Sequence, residues 1–124
     1  IYAEGFDPMD GTRGHIDGIA RFVAEDTIVV GQDGTALMDD VAEQIAEQRP
    51  DLTVERLVTD DAARYLNFLV ANGVVVSATA GDDDVAREAF GRWFPGREVR
   101  FVDVDALWEN GGGVHCVTND QPAG

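Results

Sequence analysis

What most constrains this chain's fold is that its strand and helix signals occur twice, in the same order. Ile19 to Val23 alternates apolar with polar or small residues, and Thr27 to Val30 is rich in β-branched side chains. The Glu25-Asp26 corner between them predicts a hairpin. Ala36 to Arg49 has helical spacing, with Leu37, Val41 and Ile45 on one face and Met38 and Ala42 beside them. Pro50 ends that helix, and Thr53 to Val58 reads as a strand. The second half repeats the pattern. Tyr65 to Val70 and Val74 to Thr79 read as strands flanking Asn72-Gly73, a strong two-residue hairpin signal. Asp82 to Asp84 mark a helix start, and Val85, Ala89 and Trp93 with Ala86 and Phe90 give its apolar face. Pro95 stops it before a strand over Glu98 to Val102. Pro50 and Pro95 lie 45 residues apart, each four residues before a valine that opens an alternating strand.

The chain therefore reads as two β-β-α-β units plus the remnant of a third, a strand over Val114 to Thr118 after a glycine run. Units of this kind bury their faces against neighbours, and two and a fraction are too few to close a ring. The other reading is an ordinary two-layer α+β domain whose symmetry is accidental. A start at Ile1 rather than methionine predicts either a removed leader or a piece of something longer.

The chain has 124 residues, with 24 Asp and Glu against nine basic residues and a formal charge of −15. All nine basic residues are arginine. Nothing here could neutralise phosphates in bulk, so nucleic acid and anionic membrane surfaces are excluded as expected partners. The acidity leaves two readings, attraction of a cationic substrate or adaptation to a very salty cytoplasm. A single cysteine cannot form an intrachain disulfide, which excludes a small disulfide scaffold. No apolar run reaches the roughly 18–20 residues of a membrane span, and no secretory signal opens the chain. The expected location is cytoplasmic.

Chemically versatile side chains gather at the two ends. Asp10-Gly11-Thr12-Arg13-Gly14-His15-Ile16-Asp17-Gly18 and Asn110-Gly111-Gly112-Gly113-Val114-His115-Cys116-Val117-Thr118 hold both histidines and the cysteine. A lone cysteine on an apolar strand is commonly a small buried hydrophobe. Three preceding glycines argue otherwise, because glycine lets backbone approach a ligand and presents N–H groups unobstructed. A thiol with an imidazole and carboxylates suits nucleophilic catalysis, in which the thiolate is the attacking form. On a strand His115 and Cys116 would point to opposite faces, so His115 reads as a structural histidine. His15 is the better partner, and Asp17 shares its face if that segment is extended. A metal site built from Asp10, His15 and Asp17 fits no strong ligand spacing. The Asp82 to Asp84 run reads as an acidic helix start, not as a ligand set.

At these segments the sequence resembles the agmatine deiminase and bacterial-type peptidylarginine deiminase family. Gly14 to Asp17 (GHID) followed by GIARFV is similar to the family's histidine motif and the strand behind it. Asn67 to Val76 (NFLVANGVVV) is similar to its central hairpin, and Gly111 to Pro122 (GGGVHCVTNDQP) to its terminal cysteine motif. The resemblance implies an α/β pentein propeller, a ring of five ββαβ units. Residues 1–124 would be the C-terminal part of that single domain, about two repeats plus the final strand.

It further implies Cys116 as nucleophile, His15 as general acid and base, and Asp17, Gly112 and Gly113 as substrate contacts. No metal and no organic cofactor is implied. The substrate would be a small cationic guanidino compound. The leading expectation is conversion of agmatine to N-carbamoylputrescine and ammonia through a thiouronium intermediate. Peptidyl-arginine or free arginine is the alternative by the same chemistry, and a truncated remnant acting as a binding module is a third reading. The family's tryptophan-containing RD motif and its glutamate-glycine motif do not occur in this chain. Glu109-Asn110-Gly111-Gly112 only superficially resembles the second of these. The 124 residues alone are therefore expected to be inactive. A homo-oligomer stays open. The surplus acid lies on helix faces and turns away from Asp17, and in molar salt the screening length is about 3 Å. The acidity then reads as a halophile-like solubility device.

Overall fold

The computed structural model describes residues 14–119 and 121. The first unit comprises β1 (Ala20–Phe22), β2 (Thr27–Gln32), α1 (Ala36–Gln48) and β3 (Thr53–Val58). A short helix α2 (Ala62–Leu66) leads into the second, β4 (Leu69–Ala71), β5 (Val74–Ala78), α3 (Asp83–Trp93) and β6 (Glu98–Val102), followed by α4 (Asp105–Trp108). Each unit is one three-stranded sheet whose second strand is central. β2 runs antiparallel to β1 and parallel to β3, and β5 stands in the same relation to β4 and β6. A parallel pair needs a crossover, and α1 and α3 supply the two crossovers. The mixed α/β architecture and the doubled unit thus agree with the repeat in the sequence. The Asn72-Gly73 hairpin forms as well, with Ala71 opposite Val74 and Gly73 at φ +79°. Among the described residues, no helix is long and apolar enough to cross a membrane.

Three expectations are corrected. Tyr65 and Leu66 close helix α2 rather than open a strand, and β4 begins only at Leu69. Ala62-Ala63-Arg64 ahead of them are good helix formers, so local propensity favours the extra turn. Val85 is exposed, and the buried stripe of α3 is Ala86, Ala89, Phe90 and Trp93. Lastly, Val114 to Cys116 lie in a turn rather than a strand.

The two units share a core. Val23, Val29 and Leu57 of the first pack with Val75, Ala86 and Phe90 of the second and with Tyr65 and Phe68 between them. Phe68 meets Phe90 edge to face at 5.2 Å between ring centres, a favourable aromatic geometry. Arg21 ties the halves at the surface of that core. Its Nη1 donates to Phe68 O at 2.8 Å and its guanidinium sits 4.4 Å from the Phe68 ring centre. Arg21→Met keeps the aliphatic stem but removes both contacts, and is expected to destabilise the intact protein by about 1–3 kcal/mol. Urea unfolding checks this, and an unchanged midpoint would refute it.

Tyr65 and Asp83 pin α2 to the start of α3. The Tyr65 hydroxyl donates to Asp83 Oδ1 at 2.9 Å and accepts from Asp82 N at 2.8 Å. The same carboxylate accepts from the Thr79 hydroxyl and from Ala80 N. Burial pushes the Asp83 carboxyl up, but bonds from Thr79, Ala80 and Tyr65 outweigh it and hold it below the ordinary value. Burial first, and donation to Asp83 second, push the Tyr65 phenol well above its ordinary range. This anchoring holds the C-terminal end of α2, beside which Asp17, His115 and Cys116 meet Asn67.

Candidate functional site

The two chemically rich segments, distant in sequence, meet at the end of α2. The N-terminal one turns through a 3-10 helix, Ile16–Gly18, which presents Asp17. Gly18 lies against α2, where a Cβ would stand 3.5 Å from Ala63 O. The C-terminal segment is anchored by Val114, buried with Ala78 and Val104. The turn that follows holds His115 and Cys116 at the surface, closed by Thr118 N donating to His115 O at 3.0 Å.

One ring nitrogen of His15, a carboxylate oxygen of Asp17 and the Cys116 sulfur all lie within 4.8 Å of one another. Cys116 is exposed, so it is not the small buried hydrophobe that a lone cysteine commonly is. The expectation that Asp17 and His15 align on an extended strand is corrected, since the 3-10 turn brings them together instead. Asp10 lies outside the described residues.

His115 is the second correction. Its Nδ1 lies 2.7 Å from Asp17 Oδ2, and Cys116 Sγ lies 3.4 Å from the same oxygen. The two neighbours converge because strand alternation does not apply in a turn. Burial pushes the Asp17 carboxyl up. Hydrogen bonds from His115 and Cys116, the charge of His115 and a bond from Asn67 outweigh it, holding the carboxyl below its ordinary value.

Asn67, the C-cap residue of α2, was not singled out as a site residue by the sequence. It is buried, and its side chain ties both segments together. Oδ1 accepts from His115 N at 2.9 Å and from Cys116 N at 3.3 Å, which fixes the amide's orientation. Nδ2 then faces Asp17 Oδ2 at 3.0 Å and Cys116 Sγ at 3.2 Å. The signal in the sequence is an amide between the apolar Leu66 and Phe68, because an amide buried with such neighbours must have partners. Among the described residues, all three side-chain contacts to Asp17 reach Oδ2, and none reaches Oδ1.

The glycine run has a structural reason beyond backbone freedom. A Cβ on Gly113 would stand 2.5 Å from Asn67 Oδ1, so only glycine lets that amide reach the cysteine turn. The Gly112 N–H donates to Leu107 O at 3.1 Å. The Gly112 N–H is therefore not a spare donor. The arrangement thus places an exposed thiol, an imidazole and a carboxylate side by side, the residue types of nucleophilic and acid–base chemistry.

The chain matches known proteins along most of its length. The family profile for Porphyromonas-type peptidyl-arginine deiminase matches residues 1–122. A candidate agmatine deiminase of Streptomyces coelicolor is 33% identical over 134 aligned positions, covering 90% of this chain and 40% of that protein. A solved structure, a candidate arginine deiminase of Porphyromonas gingivalis, is 34% identical with a TM-score of 0.72, covering 87% of this chain and 38% of that one. The agmatine deiminase of Enterococcus faecalis, at 20% identity and a TM-score of 0.79, shares the fold over 90% of this chain and 41% of its own. The chain thus spans about two-fifths of the length of these relatives.

Proposed function

This chain belongs to the Porphyromonas-type peptidyl-arginine deiminase family, and from that premise we propose that the protein hydrolyses agmatine to N-carbamoylputrescine and ammonia. The observation that carries this is the convergence of His15, Asp17 and Cys116 within 4.8 Å from opposite ends of the chain. A guanidinium is planar and permanently cationic, so a carboxylate suits it. Asp17 Oδ1 is the oxygen that meets it. The Cys116 thiolate attacks the central carbon, forming a C–S bond and breaking the delocalisation. Imidazolium at His15 gives its proton to the departing nitrogen, the C–N bond breaks and ammonia leaves. Water then loses a proton to the same imidazole and attacks the thiouronium carbon. The C–S bond breaks, the thiolate returns, and the former water oxygen loses its remaining proton to solvent or to the released ammonia as the ureido product departs. Gly112 and Gly113 let the substrate lie close to the backbone beside Cys116.

In this reading the two ββαβ units are two of five in a pentein ring, and residues 1–124 form the C-terminal part of that one domain. The upstream units would complete the grip on the substrate, so the 124 residues alone are inactive. Relatives described as arginine and peptidyl-arginine deiminases favour blocked arginine as the second substrate class. The test offers the intact protein agmatine and, separately, a benzoylated arginine ester and free arginine. Ureido product and ammonia in equal amounts from agmatine are expected. Product from the ester alone moves the assignment to peptidyl arginine, and absence of product from agmatine, the ester and free arginine alike overturns the deiminase reading.

A further inference from the structure

Among the described residues, one group combines three side chains able to ligate a metal ion, and it is His15, Asp17 and Cys116. We propose that these three residues form a binding site for a thiophilic divalent cation of the zinc type, which on binding takes the Cys116 sulfur out of use. The donor set decides the class. A thiolate, an imidazole and a single carboxylate form a borderline-soft set suited to Zn2+. Ca2+ and Mg2+ require a shell of oxygens that these residues do not supply.

The geometry is close to what such an ion needs. Ligand atoms around tetrahedral zinc stand roughly 3.3–3.6 Å apart, from bond lengths of about 2.0–2.3 Å. Cys116 Sγ and Asp17 Oδ2 are already 3.4 Å apart, and no pair of ligand atoms exceeds 4.8 Å. Rotation of the exposed His15 and Cys116 side chains closes the remaining gap of about 1 Å. Asp17 is held by Asn67 Nδ2 and His115 Nδ1, the outer-shell support that orients a ligating carboxylate. Exposure of His15 and Cys116 gives the ion a route in, and water takes the fourth position. As the metal–sulfur bond forms, the thiol proton leaves to solvent and nothing is oxidised.

The inference stands on the positions of these three side chains and not on the deiminase reading. Its test therefore uses no substrate. Titrating the intact protein with Co2+ is expected to give a saturable thiolate-to-cobalt charge-transfer band at one ion per chain, displaced by Zn2+. His15→Ala and Asp17→Asn are each expected to weaken Co2+ binding tenfold or more, and Cys116→Ser to remove this site's band. Because a variant can fail to fold, the wild-type protein supplies an independent measurement. Zn2+ is expected to protect Cys116 from iodoacetamide, read by peptide mass spectrometry, and EDTA to restore alkylation. Absence of a saturable band, absence of protection, or unchanged Co2+ affinity in folded His15→Ala and Asp17→Asn would each overturn the site. Equal protection by Mg2+ would overturn the argument from donor softness. A protein that binds Co2+ and forms no ureido product loses the deiminase reading and keeps the metal site.

Discussion

Cys116→Ala in the intact protein is expected to reduce ureido-product formation by about 10⁴-fold or more in kcat, leaving agmatine binding largely intact. No other residue of the chain can form the proposed covalent intermediate, since Cys116 is its one cysteine. The guanidinium would be held by Asp17, so removing sulfur removes the bond-making atom and leaves the grip. His15→Ala should cost about 10²–10⁴-fold, the usual worth of a positioned acid and base. In the proposed reaction the two residues act in one sequence of proton and group transfers. The double variant should therefore be no slower than Cys116→Ala alone. Stopped assays for ureido product, with agmatine affinity measured by calorimetry, separate the rate from the binding. Activity of Cys116→Ala within tenfold of wild type would sink the nucleophile assignment, whatever the folded state of the variant.

The second large effect is expected at a residue that need not touch substrate. Asn67→Asp is nearly isosteric, and an oxygen can still accept from His115 N and Cys116 N. The other carboxylate oxygen, however, replaces the Nδ2 donor that lies 3.0 Å from Asp17 Oδ2 and 3.2 Å from Cys116 Sγ. Two carboxylates would then face each other across a partly buried contact, and the sulfur would lose a donor and gain an anionic neighbour. Loss of one preorganised donor at a reacting anion costs about 10²–10³-fold, and a loss of at least that size in kcat/KM is expected. A purely structural role would lower the amount of folded protein without changing the chemistry of the thiol. The discriminating measurement is the rate of Cys116 alkylation by iodoacetamide at neutral pH in folded protein, expected to fall in Asn67→Asp. Unchanged alkylation together with unchanged kcat/KM would refute the positioning role.

Part of the candidate site is legible in the chain. The residues expected to carry chemistry, Cys116, His15 and Asp17, do come together. They stood out because their side chains are reactive and sit among glycines. The places of His115 and Asn67 are not legible in the chain, for physical reasons. Strand alternation directs His115 away from Cys116, a rule that fails once Val114 to Cys116 become a turn. Asn67 sits in a stretch read as a strand, and its partners lie 48 to 50 residues away in both directions. No local pattern can indicate contacts at that range. Helix α2 is hidden in the sequence for a related reason, because apolar β-formers at Phe68 to Val70 follow directly on its alanines.

By itself the sequence determined the repeated strand–strand–helix–strand order, since periodicity, prolines and Asn72-Gly73 are local signals of backbone geometry. It also determined which side chains can act as nucleophile, acid and anion, since that is a property of residue type. Tertiary structure decided how those side chains are held: Asp17 between His115 and Asn67, the cysteine turn over the Asn67 amide, and Gly113 making room for it. The reason is that a buried amide or carboxylate must find partners wherever the packed chain puts them. The packing of two repeats against one core settles where that is.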